Sequence, residues 1–128
     1  MKVRSIIPLV ISAAIFMSSP SGAEEELTGA VQYLLDFVKN SDCTFIRNGK
    51  NHTPREAVAH IERKYDHFRD EIKTPEDFIR LTASQSLISK KPYMVKTRDG
   101  RMMRSRDWLL EALEKYRQGH KGMDNSRQ

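Results

Sequence analysis

The side chains best suited to chemistry lie along one predicted helix. They are spaced four, four and three residues apart: Glu56, His60, Lys64 and His67. At roughly 100° per residue they occupy about 80° of the helix surface, as a polar stripe beside its apolar face. A histidine titrates near neutral pH, and a carboxylate one turn away can orient it. The stripe therefore indicates His60 and Glu56 as an acid–base pair.

A hydrolase would need a nucleophile and an oxyanion hole as well as this pair. Ser84, Ser86 and Ser89 qualify only by residue type, because the chain contains neither a G-x-S-x-G elbow nor an S-x-x-K motif. A small hydrolase that uses His60 and Glu56 is the alternative interpretation. No catalytic residue is assigned.

A metal site is a second interpretation of the same segment. His52, Glu56 and His60 follow the pattern H-x3-E-x3-H, and imidazole and carboxylate are zinc ligands. However, His52 precedes the helix start, and Lys64 would repel a cation. The spacing also differs from the HExxH motif of metalloproteases. We therefore predict no metal site and no cofactor.

Binding is the interpretation that the sequence favours. Arg47 and Asn48 lie between a predicted strand and a helix N-terminus, where they could hold a carboxylate or phosphate. The serine-rich loop that follows the third helix could line the same cleft. The candidate binding residues are Arg47, Asn48, Glu56, His60, Ser84, Ser86 and Tyr93. Each also has an ordinary structural explanation, as a turn, a cap or an ion pair.

Four helices are expected to position these residues. Apolar side chains at helical spacing predict a helix over residues 24–40. Thr53 and Thr74, each followed by proline, are typical helix starts, and Glu56 would complete a capping box with Thr53. The last helix is predicted to start after Ser105 as its N-cap and to end at Gly119.

Three short strands complete the predicted fold. They cover residues 43–46, 93–97 and 101–104, the last two joined by an Asp-Gly hairpin turn, and residues 47–51 are interpreted as a turn. The predicted order is α-β-α-α-β-β-α. This is an α+β fold, with a small three-stranded antiparallel or mixed sheet packed by about four helices.

The N-terminus has the features of a secretory signal. Lys2 and Arg4 precede about twelve apolar residues, too few for the roughly 20 that a transmembrane helix needs. We predict cleavage after Ala23, a periplasmic protein, and no transmembrane segment after signal removal. The predicted organisation is a signal peptide (1–23), a single globular α+β domain (24–119) and a polar flexible tail (120–128).

Charge and cysteine content restrict the partners. The formal net charge of +5 falls by two when Lys2 and Arg4 are removed with the signal. No clustered basic face with aromatic contacts is apparent, so we predict no nucleic-acid partner. Weak affinity for anionic lipid headgroups or cell-wall polymers stays open.

Cys43, the only cysteine, cannot form an internal disulfide and is predicted to be a small buried apolar side chain, with an intermolecular disulfide as the alternative.

Several segments together resemble a known family. They are Phe45 to Gly49, His52 to His60, Thr74 to Ile79, Ala83 to Ser89 and Lys91 to Lys96. The chain resembles the YfeK-like family of small exported bacterial proteins, a domain of unknown function, over roughly residues 27–115. The resemblance implies an exported single-domain protein of a Gram-negative envelope and brings no activity, cofactor or ligand. It also implies a second cysteine in many members, near Thr97, which this chain lacks.

The sequence thus predicts an uncharacterised exported envelope protein, most simply a non-enzymatic binding or accessory module. Its expected partner is an envelope protein or a small anionic ligand.

Overall fold

The computed structural model describes residues 8, 13–15 and 21–126, so most of the predicted signal peptide lies outside the described residues. The described part is an α+β protein, as predicted. Its elements are α1 (Gly22–Lys39), β1 (Thr44–Arg47), β2 (Lys50–His52), α2 (Pro54–Phe68, followed by a 3-10 turn, Arg69–Glu71), α3 (Pro75–Thr82), β3 (Met94–Lys96), β4 (Met102–Arg104) and α4 (Ser105–Asn125). None of these helices is long and apolar enough to cross a membrane.

The sheet has four strands, not three, in the order β2-β1-β3-β4, and each neighbouring pair is antiparallel. The extra strand is β2, in the segment that was predicted to be only a turn. Asn48 and Gly49 both adopt positive φ, at 50° and 76°, and Arg47 pairs with Lys50 across them. Positive φ at both central positions is the geometry of a tight hairpin. The strand sequence Lys-Asn-His has no alternation of apolar and polar residues, so the sequence pattern does not predict a strand here.

One face of the sheet packs on the helices. Phe45 on β1 and Val95 on β3 are partners in register, and both are buried. The Trp108 ring of α4 meets the Phe45 ring edge-on, with ring centroids 5.6 Å apart. This packing fixes β1 against the helices and so fixes the position of Arg47 at the end of β1.

The two Thr-Pro helix starts differ in detail. The Thr74 hydroxyl accepts a hydrogen bond from the Asp77 amide, and the Asp77 carboxylate accepts one from the Thr74 amide, which is a complete capping box. On α2 the Thr53 hydroxyl accepts a hydrogen bond from the Glu56 amide. The second bond of the predicted capping box, from the Thr53 amide to the Glu56 carboxylate, does not form between these described residues. The Glu56 carboxylate instead lies 3.0 Å from Nδ1 of His52, because β2 places that imidazole beside it.

Helix α4 differs from its prediction at both ends. Ser105 is not the N-cap but the first helical residue; its amide donates to the Tyr93 carbonyl at 2.9 Å, and Arg104 precedes it without a side-chain cap. At the other end the helix continues through Gly119 to Asn125. A single glycine costs a helix only about 1 kcal/mol, and no proline follows it. The flexibility of residues 120–128 stays a prediction.

Candidate functional site

Three of the predicted binding residues form one hydrogen-bonded chain. Arg47 directs Nη1 at Nδ1 of His60 on α2, and Nε2 of His60 lies 3.1 Å from the Tyr93 hydroxyl. The hairpin end of β1 supplies Arg47, and the residue before β3 supplies Tyr93. Because β1 and β3 are neighbours in the sheet, they bring both side chains to the same side of α2.

The chemistry of Arg47 fixes the tautomer of His60. A guanidinium only donates hydrogen bonds, so Nδ1 must accept with its lone pair, and the proton of the neutral ring sits on Nε2. Burial and the positive charge of Arg47 lower the pKa of His60 to about 4. His60 is therefore neutral at physiological pH, and the lone pair that a general base would use already accepts from Arg47.

Lys64 lies one helical turn after His60 and is buried, with only 7% of its surface exposed. Its Nζ donates to the backbone carbonyl of Gln85 at 3.0 Å and to the Tyr93 hydroxyl at 3.4 Å. It also lies 5.0 Å from the centre of the Tyr93 ring, within the range of a cation–π contact. Burial, followed by the charge of Arg47, lowers the pKa of Lys64 to about 8.

Tyr93 receives two hydrogen bonds and has one hydrogen left to give. His60 and Lys64 both donate to its oxygen, and a phenol oxygen has two lone pairs and one proton. Burial raises the pKa of Tyr93, so its hydroxyl keeps that proton. The chain of bonds that starts at Arg47 therefore ends in an O–H group that can donate to a ligand.

These groups open onto a cleft of about 510 Å³, within the usual range for small-molecule sites. We call it the cationic cleft. Its lining residues are Arg47, Asn48, Lys50, His52, His60, Lys64, Ser86, Leu87, Ile88 and Tyr93. Arg47, Lys50 and Lys64 supply positive charge, and among the described residues that line the cleft there is no aspartate or glutamate. A concave surface with charge of one sign attracts ligands of the opposite sign.

The structure brings together five of the seven predicted binding residues. Those that line the cationic cleft are Arg47, Asn48, His60, Ser86 and Tyr93. Ser84 does not line it, and Glu56 lines an adjoining pocket that shares Arg47, His60 and Tyr93 with the cleft. Glu56 is paired with His52, and the Ser84 hydroxyl donates to the Ile79 carbonyl at the end of α3, 2.8 Å away. Both interactions are local, and residue spacing alone does not reveal them.

Lys50 and Lys64 are the charged residues of the cleft that are not among the predicted binding residues. Lys64 belongs to the polar stripe, but it entered that argument only as a charge that would repel a metal. The i, i+4 spacing from His60 was the signal that places it on the same face. Lys50 was missed because β2 was missed.

The hydrogen bonds of His60 and Glu56 do not support the metal site or the acid–base pair. Both ring nitrogens of His60 are engaged, by Arg47 and Tyr93, while Glu56 bonds to His52 and not to His60. In the described part of the chain, no three His, Cys, Asp or Glu side chains are grouped so as to hold a metal ion.

The fold and the site define a class: a small α+β protein with a cleft lined by positively charged side chains. Residues 25–117 match the model of a family of unknown function, DUF5329, and the chain belongs to that family. It is also 46% identical over 55 residues to the uncharacterized protein YfeK of Salmonella typhimurium strain LT2. That match spans 43% of this chain and 46% of the relative. No solved structure matches. The family resemblance is therefore confirmed, and neither description gives an activity.

Proposed function

We propose that this protein is an exported binding or accessory protein of the bacterial cell envelope, and that it binds an anionic ligand in the cationic cleft. One observation carries the proposal: Arg47, Lys50 and Lys64 face one cleft that no carboxylate lines among the described residues. Positive charges gathered without counter-charges repel one another. An anion between them would remove that repulsion.

The burial of Lys64 supports a ligand rather than a structural role. Taking an ammonium group out of water is costly unless the charge is paired. Its protein partners are a carbonyl, a phenol oxygen and the Tyr93 ring, all neutral, so no carboxylate of the protein pairs with its charge. An ammonium has three N–H donors, and the third is left for a ligand.

The hydrogen-bond donors in the cleft favour an oxyanion as the ligand. Arg47 uses Nη1 for His60 and has further N–H groups in the fork that recognises carboxylate and phosphate. Lys64 and the Tyr93 hydroxyl add two more donors. A ligand that only accepts hydrogen bonds satisfies all of these groups, whereas an ammonium group or a metal cation would satisfy none.

Export is part of the proposal. It is supported by the positively charged and then apolar N-terminal sequence, which is typical of a secretory signal. Periplasmic location is checked by cell fractionation of the tagged protein. Release with the periplasmic fraction and loss of the N-terminal segment support it, and retention in the cytosol contradicts it.

Ligand binding is tested by titrating the purified protein with inorganic phosphate and with acetate, followed by the amide resonances of the cleft residues in NMR spectra. We expect saturable shifts at the cleft that Arg47→Glu abolishes. Arg98→Glu is the matched control, because it makes the same charge change on a side chain that is 86% exposed and outside the cleft lining. Equal binding by Arg47→Glu and the unmodified protein would contradict the proposal.

A further inference from the structure

Two neighbouring apolar side chains at the lip of the cationic cleft are exposed to water. Leu87 is 50% exposed, Ile88 is 96% exposed, and both line the cleft. Single exposed apolar residues are common on protein surfaces. In the described part of the chain the other exposed large apolar residues are Ile15, Met102 and Met123, and no two of these are adjacent in sequence. The adjacent pair beside a ligand cleft is therefore a distinct feature.

The turn that carries this pair is held in place by hydrogen bonds. The Lys90 amide donates to the Ser86 carbonyl at 3.1 Å, and the Ser86 amide donates to the Lys91 carbonyl at 3.0 Å. The Ser89 hydroxyl donates to the Asn48 side-chain oxygen at 2.7 Å and ties the turn to the β1–β2 hairpin. The apolar tip is thus presented to solvent by a braced turn.

Positive charge surrounds the tip. Lys90 and Lys91 follow it in the chain and are exposed, and Lys50 is exposed on the adjoining hairpin. Arg47 and Lys64 lie deeper in the cleft. Apolar side chains flanked by lysines are the combination that binds the interface of an anionic bilayer, where the apolar groups enter the headgroup layer and the lysines meet the phosphates.

We propose that this face docks on an anionic phospholipid bilayer, with Leu87 and Ile88 in the headgroup layer and one lipid phosphate in the cationic cleft. This inference rests on the proposed function, because the lipid phosphate is the oxyanion that Arg47 and Lys64 bind. A free anion would fill the cleft but would leave Leu87 and Ile88 in water. A bilayer satisfies both the charges and the apolar tip.

The test is co-sedimentation of the protein with vesicles of phosphatidylethanolamine and phosphatidylglycerol, compared with vesicles of phosphatidylcholine alone. We expect binding to the anionic vesicles that weakens as salt is raised. Replacing both Leu87 and Ile88 with serine should weaken it at least about tenfold. The double replacement of Met102 and Met123 with serine is the matched control and should leave it unchanged.

The lysines give a second, independent measurement. Lys90→Gln and Lys91→Gln should each weaken binding to anionic vesicles by roughly fivefold at low salt and should not affect the phosphatidylcholine vesicles. Equal binding to both kinds of vesicle, or unchanged binding after the serine replacements at Leu87 and Ile88, would overturn the inference.

Titration with inorganic phosphate separates this inference from the proposed function. Retained phosphate binding by Lys91→Gln, whose side chain does not line the cleft, together with weakened vesicle binding, supports both. Phosphate binding by the unmodified protein without any vesicle binding overturns only the bilayer, and then points to a free anion or an acidic protein. Vesicle binding that survives Arg47→Glu, with no phosphate binding, overturns the cleft as the lipid phosphate site and contradicts the proposed function.

Discussion

Two arginines of this protein have opposite surroundings. Arg117 on α4 lies between Glu26 of α1 and Glu76 of α3, with Nη2 3.0 Å from the Glu26 carboxylate and Nη1 bonded to Glu76. Arg47 on β1 instead faces the neutral His60. The first arginine ties three helices together through paired charges. The second sits among other cations, in a cleft that the described part of the chain lines without any carboxylate.

The pKa values follow the same division. The hydrogen bond from Arg117 lowers the pKa of Glu76, so each charge favours the other. In the cleft, burial and the charge of Arg47 lower the pKa values of His60 and Lys64, so each positive charge there opposes the next. A carboxylate beside Arg47 would oppose these shifts. No carboxylate is among the described lining residues, so the positive charge of the cleft is available to an anion from outside.

The largest expected effect is on phosphate affinity, which should fall when Arg47 is replaced but not when Arg117 is replaced. Arg47→Glu should weaken phosphate binding at least about a hundredfold, since it replaces a forked donor by a like charge, a change worth roughly 3 kcal/mol or more. Arg117→Glu should leave phosphate binding unchanged. Calorimetric titration of both variants with phosphate measures the difference. If the two variants bind phosphate equally well, the comparison between the two arginines is wrong.

The next effect is on stability. The pKa of Lys64 falls from 10.5 to about 8, a shift that corresponds to roughly 3 kcal/mol of unfavourable burial of the charge. Lys64→Met should therefore raise the free energy of unfolding at neutral pH by about 2 kcal/mol, after allowance for its two lost hydrogen bonds, and should weaken phosphate binding. Chemical denaturation measures the first effect. A variant less stable than the unmodified protein would show that Lys64 has a structural role.

The contribution of Lys64 to the free energy of unfolding should also depend on pH. Because the folded pKa of Lys64 lies below the unfolded one, the unfolded chain binds more protons between about pH 8 and 10.5. The stability of the unmodified protein should therefore rise with pH across that window through this group. The stability advantage of Lys64→Met should shrink over the same window.

His60 should give a smaller effect on the acid side. Its pKa is lowered from 6.5 to about 4, so the unfolded chain takes up a proton first as the pH falls. Stability should decrease between about pH 6.5 and 4, by about 1–2 kcal/mol for this partly exposed ring. His60→Gln should remove this slope in urea unfolding measured at several pH values. An unchanged slope would contradict the neutral state assigned to His60.

The smallest effect should come from the paired arginine. Arg117→Met should destabilise the fold by about 1 kcal/mol, because Arg117, Glu26 and Glu76 are 31%, 48% and 49% exposed and water screens their attraction. The lowered pKa of Glu76 means that this contribution is present above its ordinary value of 4.5 and is lost as the pH falls below it. Thermal unfolding at neutral and acid pH measures it. Loss of phosphate binding in this variant would contradict its separate role.

Much of the fold could be predicted because it depends on local signals. The Thr-Pro starts of α2 and α3 and the apolar spacing of α1 are properties of short segments. Strand β2 was missed because an edge strand made of polar residues has no period-two pattern. Its only signal was Asn48-Gly49, which marks a hairpin as well as a turn.

The cleft was predicted in part, for a related reason. Arg47 and His60 stand out by residue type, and the strand order then decides that Tyr93 joins them. Glu56 was assigned from its spacing to His60 and Ser84 from its residue type, whereas their side chains bond to His52 and to the Ile79 carbonyl. The burial of Lys64 is set by tertiary packing, which residue type and spacing do not specify.

The most direct test of the unpaired cationic cleft is an NMR titration of Lys64 in the protein labelled at the lysine Cε position, with and without inorganic phosphate. We expect a pKa near 8 for the free protein, raised when phosphate binds because an anion favours the charged ammonium. Lys64→Met identifies the resonance by its loss. A Lys64 pKa near the ordinary value of 10.5, unmoved by phosphate, would contradict the account.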